Sequence, residues 1–314
     1  MPALEPVWRV AFTVQANGGL SAVWGSAPDD VFIVGGTTEQ AWIYHFDGIE
    51  WSQMAAPAVP QLIWVFGFGT DNVYAVGLDG AVIQYDGLQW HILDSGTDED
   101  LWGIWGTAPD DLWLVGGELT PGDPVILHYD GQVFAKWAAP ENDRNATSLF
   151  KVWGIGDEVF AVGSTGLIIA FDGERWAQVP AGPAANDDFV SLWGTREDHI
   201  AAVGGRASGI LSDFDGQAWS TRPVAPVPGL SAVYMGQDDE AIVGGQRGFV
   251  GHYNPETMEL IEEAAPTDNL QFIHGVWGDD AGRHYAVGTR YIGVNTTTGF
   301  ALVRTLEPPP ERVR

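Results

Sequence analysis

Short apolar phrases separated by polar, glycine-rich turns run the length of this chain, and they recur in a fixed order. Phrases such as LSAVWG and LFKVWG place an aromatic residue, Trp24, Phe66, Trp105, Trp153, Trp193, Tyr234 or Trp277, at intervals of about 40 residues. A polar turn such as SAPDD or TAPDD follows each of the best-matched copies. A second apolar run then ends in Val-Gly or Val-Gly-Gly, which we align at Gly35, Gly77, Gly116, Gly163, Gly204, Gly244 and Gly288. After a variable loop, a third run enters an Asp-Gly turn, as in YHFDGIEW, IQYDGLQW and IAFDGERW. A fourth then opens on Trp51, Trp90, Phe134, Trp176 or Trp219. Asp-Gly between apolar runs is a hairpin signal, because glycine accepts the positive φ of a tight turn.

Four strands per copy and seven copies predict an all-β chain folded as a seven-bladed β-propeller with four-stranded antiparallel blades. One such sheet cannot bury its faces alone, so the copies must stack into one ring. A single domain over 1–314 follows, with repeats from about 20 to 306 and a C-terminal tail at 307–314. Trp8 precedes the first repeat by about the spacing at which Trp51 and Trp90 precede theirs. The segment at about 7–14 therefore reads as a fourth strand without a blade of its own. The last copy has GFALVRTL but no Asp-Gly turn and no closing aromatic, so the N-terminal strand is expected to complete blade seven. The competing assignment makes Phe300 to Leu306 that fourth strand.

The Gly-Gly doublets, the following tyrosine and the later tryptophan resemble kelch repeats, and HYNPETM in the sixth copy is similar to a kelch third-strand turn. The Asp-Gly-x-x-Trp element resembles the Asp-box of sialidase-like propellers, without that motif's leading Ser or Thr. Both resemblances imply the propeller fold. Neither implies an activity, since such repeats are carried by enzymes, lectins and docking modules alike.

Composition narrows the partners. The chain has 42 acidic against 14 basic residues and a net charge of -28, which sets it against nucleic-acid binding, where clustered Lys and Arg supply the affinity. About a third of the acids fall in the Asp-Asp-type turns and the Asp-Gly turns, which should share one end of the ring. There is no cysteine, so no disulfide or thiolate metal site is available. No run of 18 apolar residues suggests a membrane span, and the opening MPALEPVW has no secretory-signal pattern. An acidic, lysine-poor chain suits an extracellular, periplasmic or saline setting.

Most conspicuous residues have a structural explanation. A buried tryptophan removes roughly 150 to 250 Å² from water, worth about 4 to 6 kcal/mol before entropy is subtracted, so the ring aromatics are expected to bind blade to blade. His45, His128 and His252 occupy one equivalent third-strand position on separate blades and are not expected to share a metal. The sequence calls for no cofactor and no metal.

Residues outside the repeat point to a site. Loops between second and third strands and loops between blades should share the face opposite the Asp-Gly turns. Insertions concentrate there, in GGELTPGDP, AAPENDRNATS and GTRYIGVNTTTG. Equivalent loops supply Glu39, Asp79 and Glu118 on blades one to three and Arg206, Arg247 and Arg290 on blades five to seven. Three arginines on adjacent blades would suit one anion. At the start of the first strands, Trp64, Trp102, Lys151 and His274 replace small or aliphatic residues, and with Tyr291 they suggest an aromatic and cationic pocket. The reading that follows is a non-catalytic recognition propeller binding a glycan, peptide or anionic small molecule. The alternative is a sialidase-like hydrolase with Tyr291 as nucleophile beside an acid such as Glu118; it lacks the family's Arg-Ile-Pro signature and has seven blades where that family has six.

Overall fold

A computed structural model describes residues 5–307 apart from 16, 119–121, 157, 237–240, 256, 280–281 and 294. Seven four-stranded antiparallel sheets succeed one another along the chain. Blade 1 comprises Gly19–Ala27, Asp30–Gly36, Ala41–Phe46 and Trp51–Gln53, from the innermost strand outward. Blade 7 comprises Gln271–Gly278, His284–Ile292 and Asn295–Glu307, and its outermost strand is the N-terminal segment Glu5–Val14. Glu5 to Val14 pairs antiparallel with Glu307 to Gly299, so the N-terminal strand closes the ring and GFALVRTL lies within the third strand. Beyond Glu307 the expected tail lies outside the described residues.

Two turn types explain the placement of the acids. In each Asp-Gly turn, the Asp accepts backbone N–H groups two and three residues on: Asp47 from Ile49 and Glu50, Asp86 from Leu88 and Gln89, and likewise Asp130, Asp172 and Asp215. These bonds hold the carboxyls of Asp47 and Asp130 below the usual range. The glycine after Asp47, with φ of 88°, packs against the first-to-second-strand turn of its own blade, where a Cβ at Gly48 would lie 2.7 Å from Asp29 Cβ. The two acidic turns thus share one end of each blade.

The second acid of the Asp-Asp pair points inward. Asp30 is buried; its carboxylate accepts the Ser26 hydroxyl and lies 2.6 Å from His45 Nε2, while the His45 ring packs 4.4 Å from Phe32. Burial pushes the Asp30 carboxyl up, but the bonds from His45 and Ser26 prevail and hold it low. Blade 3 repeats the arrangement with Thr107, Asp111, His128 and Trp113. His45 and His128 are therefore tied to acids of their own blades.

Aromatic rings join the blades in two directions. The inner ring runs forward: Trp24 meets Phe66 at 6.3 Å, Trp193 meets Tyr234 at 5.2 Å and Tyr234 meets Trp277 at 6.3 Å. The outer tryptophans run backward, each onto a second-strand ring of the preceding blade. Trp90 meets Phe32, Trp176 meets Trp113 and Trp219 meets Phe160, at 5.2–6.2 Å and close to perpendicular. The indole N–H groups of these three are buried without a conventional acceptor; a recurrent edge-on approach to a π-face suits such a donor.

One alignment is corrected by a residue. Leu230 pairs with Gly245, as Leu20 pairs with Gly35, so Gly245 rather than Gly244 is the conserved-register glycine of blade 6. Gly244 instead stands opposite Ala232, where blade 1 has Val34 opposite Ala22, and a Cβ there would lie 2.3 Å from Ile273 Cγ2 of blade 7. A larger side chain from the neighbouring blade fills the position.

Candidate functional site

Each first strand carries a bulge near its start, where one residue has no partner on the second strand. The bulged residues are Ser21, Ile63, Trp102, Phe150, Val190, Ser231 and His274. All seven line a single cavity of about 1050 Å³ at the mouth of the central channel. A bulge re-aims the strand locally, and repeated around the ring it turns seven side chains toward one axis. The loops on the same face complete the wall, through Thr37, Leu78, Asp188, Arg206 and Gln246. The insertion in blade 7 becomes an extension of its second and third strands and adds Tyr291, Asn295, Thr296 and Thr297.

The four anomalous first-strand residues fall into two positions. Trp102 and His274 occupy the bulge itself. Trp64 and Lys151 stand one residue later, where the other blades have Ala22, Gly103, Ser191, Ala232 and Gly275. Lys151 is 6% exposed, and its Nζ lies 2.7 Å from the centroid of the Trp64 ring, a cation–π contact that spans blade 3. Gly103, the residue of blade 3 at this position, has no side chain to intervene, and a Cβ there would approach Lys151 Cα to 3.0 Å. Among the described residues Lys151 has no hydrogen-bond acceptor or carboxylate partner, and burial drives its pKa well below the usual lysine value.

The remaining groups are more conventionally satisfied. Trp102 donates its indole N–H to Gly117 O at 2.9 Å and meets Phe150 edge-on. His274 stacks on Phe272 at 4.8 Å, and its Nε2 is 3.3 Å from the Tyr291 hydroxyl. Burial pushes the His274 ring down to about 4, so it is neutral near pH 7, and pushes the Tyr291 phenol up.

The structure does not gather the three arginines. Arg206 lines the cavity, but its guanidinium is bidentate to Asp188 at 2.8 and 3.2 Å and pairs with Asp187 at 3.5 Å. Arg290 is paired with Asp268, and exposed Arg247 sits in a left-handed turn residue with φ of 57°; neither lines the cavity. Glu39 and Asp79 also stand outside it. Glu118 borders a separate shallow depression with Asp94, Asp98, Glu99 and Lys136, so it is not placed beside Tyr291. The blade 3 insertion at 138–148 does not reach the cavity either; Arg144 within it donates to the backbone carbonyls of Thr165 and Ala185. Sequence reasoning missed Ser21, Ile63, Phe150, Val190 and Ser231: the small and aliphatic residues carry no signal until the bulge is seen, and Phe150 reads as one more apolar strand residue.

Fold and cavity together define a seven-bladed β-propeller with a lined central mouth. Similar solved structures include the WD40 propeller of Doa1 (TM-score 0.71, 10% identity, 96% of this chain and 97% of that one). YCF48 bound to a D1 peptide is similar too (TM-score 0.68, 12% identity, 96% and 98%), as is streptogramin B lyase (TM-score 0.70, 13% identity, 96% and 98%). At these identities the likeness is one of fold. No family model matches the chain, and no curated protein matches it. Among the described residues no helix is long and apolar enough to cross a membrane.

Proposed function

We propose that this protein is a non-catalytic recognition propeller that takes a hydroxyl-bearing ligand, a glycan rather than a peptide, in the central cavity. The observation that carries the reading is the convergence of all seven bulge residues on one cavity. Its wall combines aromatic surface from Trp102, Phe150 and Tyr291 with amide and hydroxyl groups from Gln61, Thr37 and Asn295. Aromatic area with a few placed polar groups suits a ligand that stacks through its body and is oriented through hydroxyls. The fold alone does not choose among functions, since one similar structure holds a peptide and another is a lyase by name.

Hydrolysis of a glycoside generally needs two available carboxyl groups about the scissile bond. Asp188 is the carboxylate lining the cavity among the described residues, and it is already engaged by Arg206 and by Thr165 N–H. Tyr291 has its phenol raised by burial, the opposite of what an activated nucleophile requires.

Binding of mono- and oligosaccharides, followed by intrinsic tryptophan fluorescence, tests this proposal. Saccharides should perturb the emission, and Trp102→Ala should abolish binding without unfolding the ring. Peptides binding in the cavity where saccharides do not, or turnover of any glycoside, would overturn it.

A further inference from the structure

We infer that Lys151, seated on the Trp64 indole, is the anchor for a ligand carboxylate, which makes the cavity a site for acidic sugars of the uronic acid kind. This rests on the glycan reading above and names the ligand more narrowly.

The fold does not require a lysine at this position, since equivalent strands accept Ala22, Gly103, Ser191, Ala232 and Gly275. Placing an amine there carries a cost. A cation withdrawn from water is penalised heavily, and an indole face returns only part of the loss. Other buried or half-buried cations are given partners: Arg304 has Glu263, Arg222 has Asp213, and Arg144 has the carbonyls of Thr165 and Ala185. The chain has three acids for every base, 42 to 14, yet among the described residues none pairs with Lys151.

The other ionisable groups lining the cavity do not fill the vacancy. Asp188 and Arg206 satisfy each other, His274 is neutral near pH 7, and Tyr291 keeps its proton. Burial lowers the amine's own pKa, so an arriving carboxylate would restore its charge as it bound. A sugar fits the remaining demands: its ring offers a face to Trp102 or Phe150, and its hydroxyls reach amide and hydroxyl groups on the wall.

The test compares D-galacturonate oligomers with their methyl esters and with neutral galacto-oligosaccharides, by calorimetry on the full chain. The free acid should bind at least tenfold more tightly than the ester. Lys151→Met should erase that difference while leaving ester binding in place. Because the ester removes the charge from the ligand, the comparison holds even if the variant fails to fold. Equal binding of acid and ester, or an undiminished preference in folded Lys151→Met, overturns the carboxylate anchor and leaves the glycan reading standing. Binding of peptides with a free C-terminal carboxylate, and of no sugar, overturns both. Failure of every sugar and peptide to bind the folded protein likewise removes both.

Discussion

Gly67 lies beneath Trp24: a Cβ at Gly67 would stand 2.8 Å from Cη2 of that indole. The first-strand tryptophan of blade 1 therefore occupies the space that a side chain in blade 2 would need. Trp277 does the same over Gly25, Trp105 over Gly154 and Tyr234 over Gly278, at 2.6 to 2.9 Å. These contacts account for the glycines of blades 1, 2, 4 and 7, whereas a Cβ at Gly106 or Gly194 would first meet atoms of its own blade. Blade 6 has Met235 where the others have glycine.

Gly67→Ala is expected to destabilise the protein by about 1–3 kcal/mol through overpacking. In a Trp24→Leu background the same change should cost less, the remainder being the approach of the new Cβ to Asn72 O, also 2.8 Å away. Urea denaturation of the four proteins in this cycle measures the coupling; additive effects would show that the glycine serves something other than the ring above it.

Ring closure should be acid-sensitive. Glu263 accepts two bonds from Arg304, at 2.7 and 2.8 Å, and the Trp8 indole N–H at 2.7 Å, so it fastens the N-terminal strand to blades 6 and 7. Burial alone would raise its pKa, but Arg304 outweighs that and the carboxyl is held below its usual value. The folded state thus binds protons less readily than the unfolded chain. The stability from this group is complete above the unfolded value of 4.5 and is lost as pH falls through the depressed one. Glu263→Ala, which strands a buried guanidinium, should cost about 3–5 kcal/mol at pH 7. Glu263→Gln should show a shallower loss of stability on acidification than the wild type.

Lys151 should burden the fold that holds it. Its folded pKa lies below 10.5, so between those two values the unfolded chain binds more protons and stability rises with pH. Lys151→Met should be neutral or stabilising, by up to about 4 kcal/mol, with the larger gain at the lower pH. Unfolding at pH 7 and at pH 10 checks the sign. A variant less stable than the wild type at pH 7 would show that the amine supports the core.

The arginines should separate by position. Arg206→Ala, at the cavity wall, is expected to weaken ligand binding, while Arg247→Ala and Arg290→Ala leave it unchanged. The pairs of Arg206 and Arg290 are at the surface and Arg247 is exposed, so melting temperatures should move little. Equal losses of binding from all three variants would restore a shared anion site.

From the order of residues alone follow the seven blades and the four strands in each, with Trp8 expected to close the last, because the apolar phrases recur in all seven copies, the aromatic-glycine pairs in six and the Asp-Gly turns in five. The register of blade 6 was less legible, since Gly244 and Gly245 are indistinguishable as letters and differ only in whether Ile273 packs against them. The candidate site divided in the same way. Unusual residues such as Lys151, Trp64, Trp102, His274 and Tyr291 stand out from the repeat. What gathers them is the bulge in every first strand, and a bulge is a property of strand pairing. Only the closed ring decides which loop arginine reaches the mouth, that Arg290 turns to Asp268 instead, and that Gly103 leaves Lys151 room to meet Trp64 from two blades away.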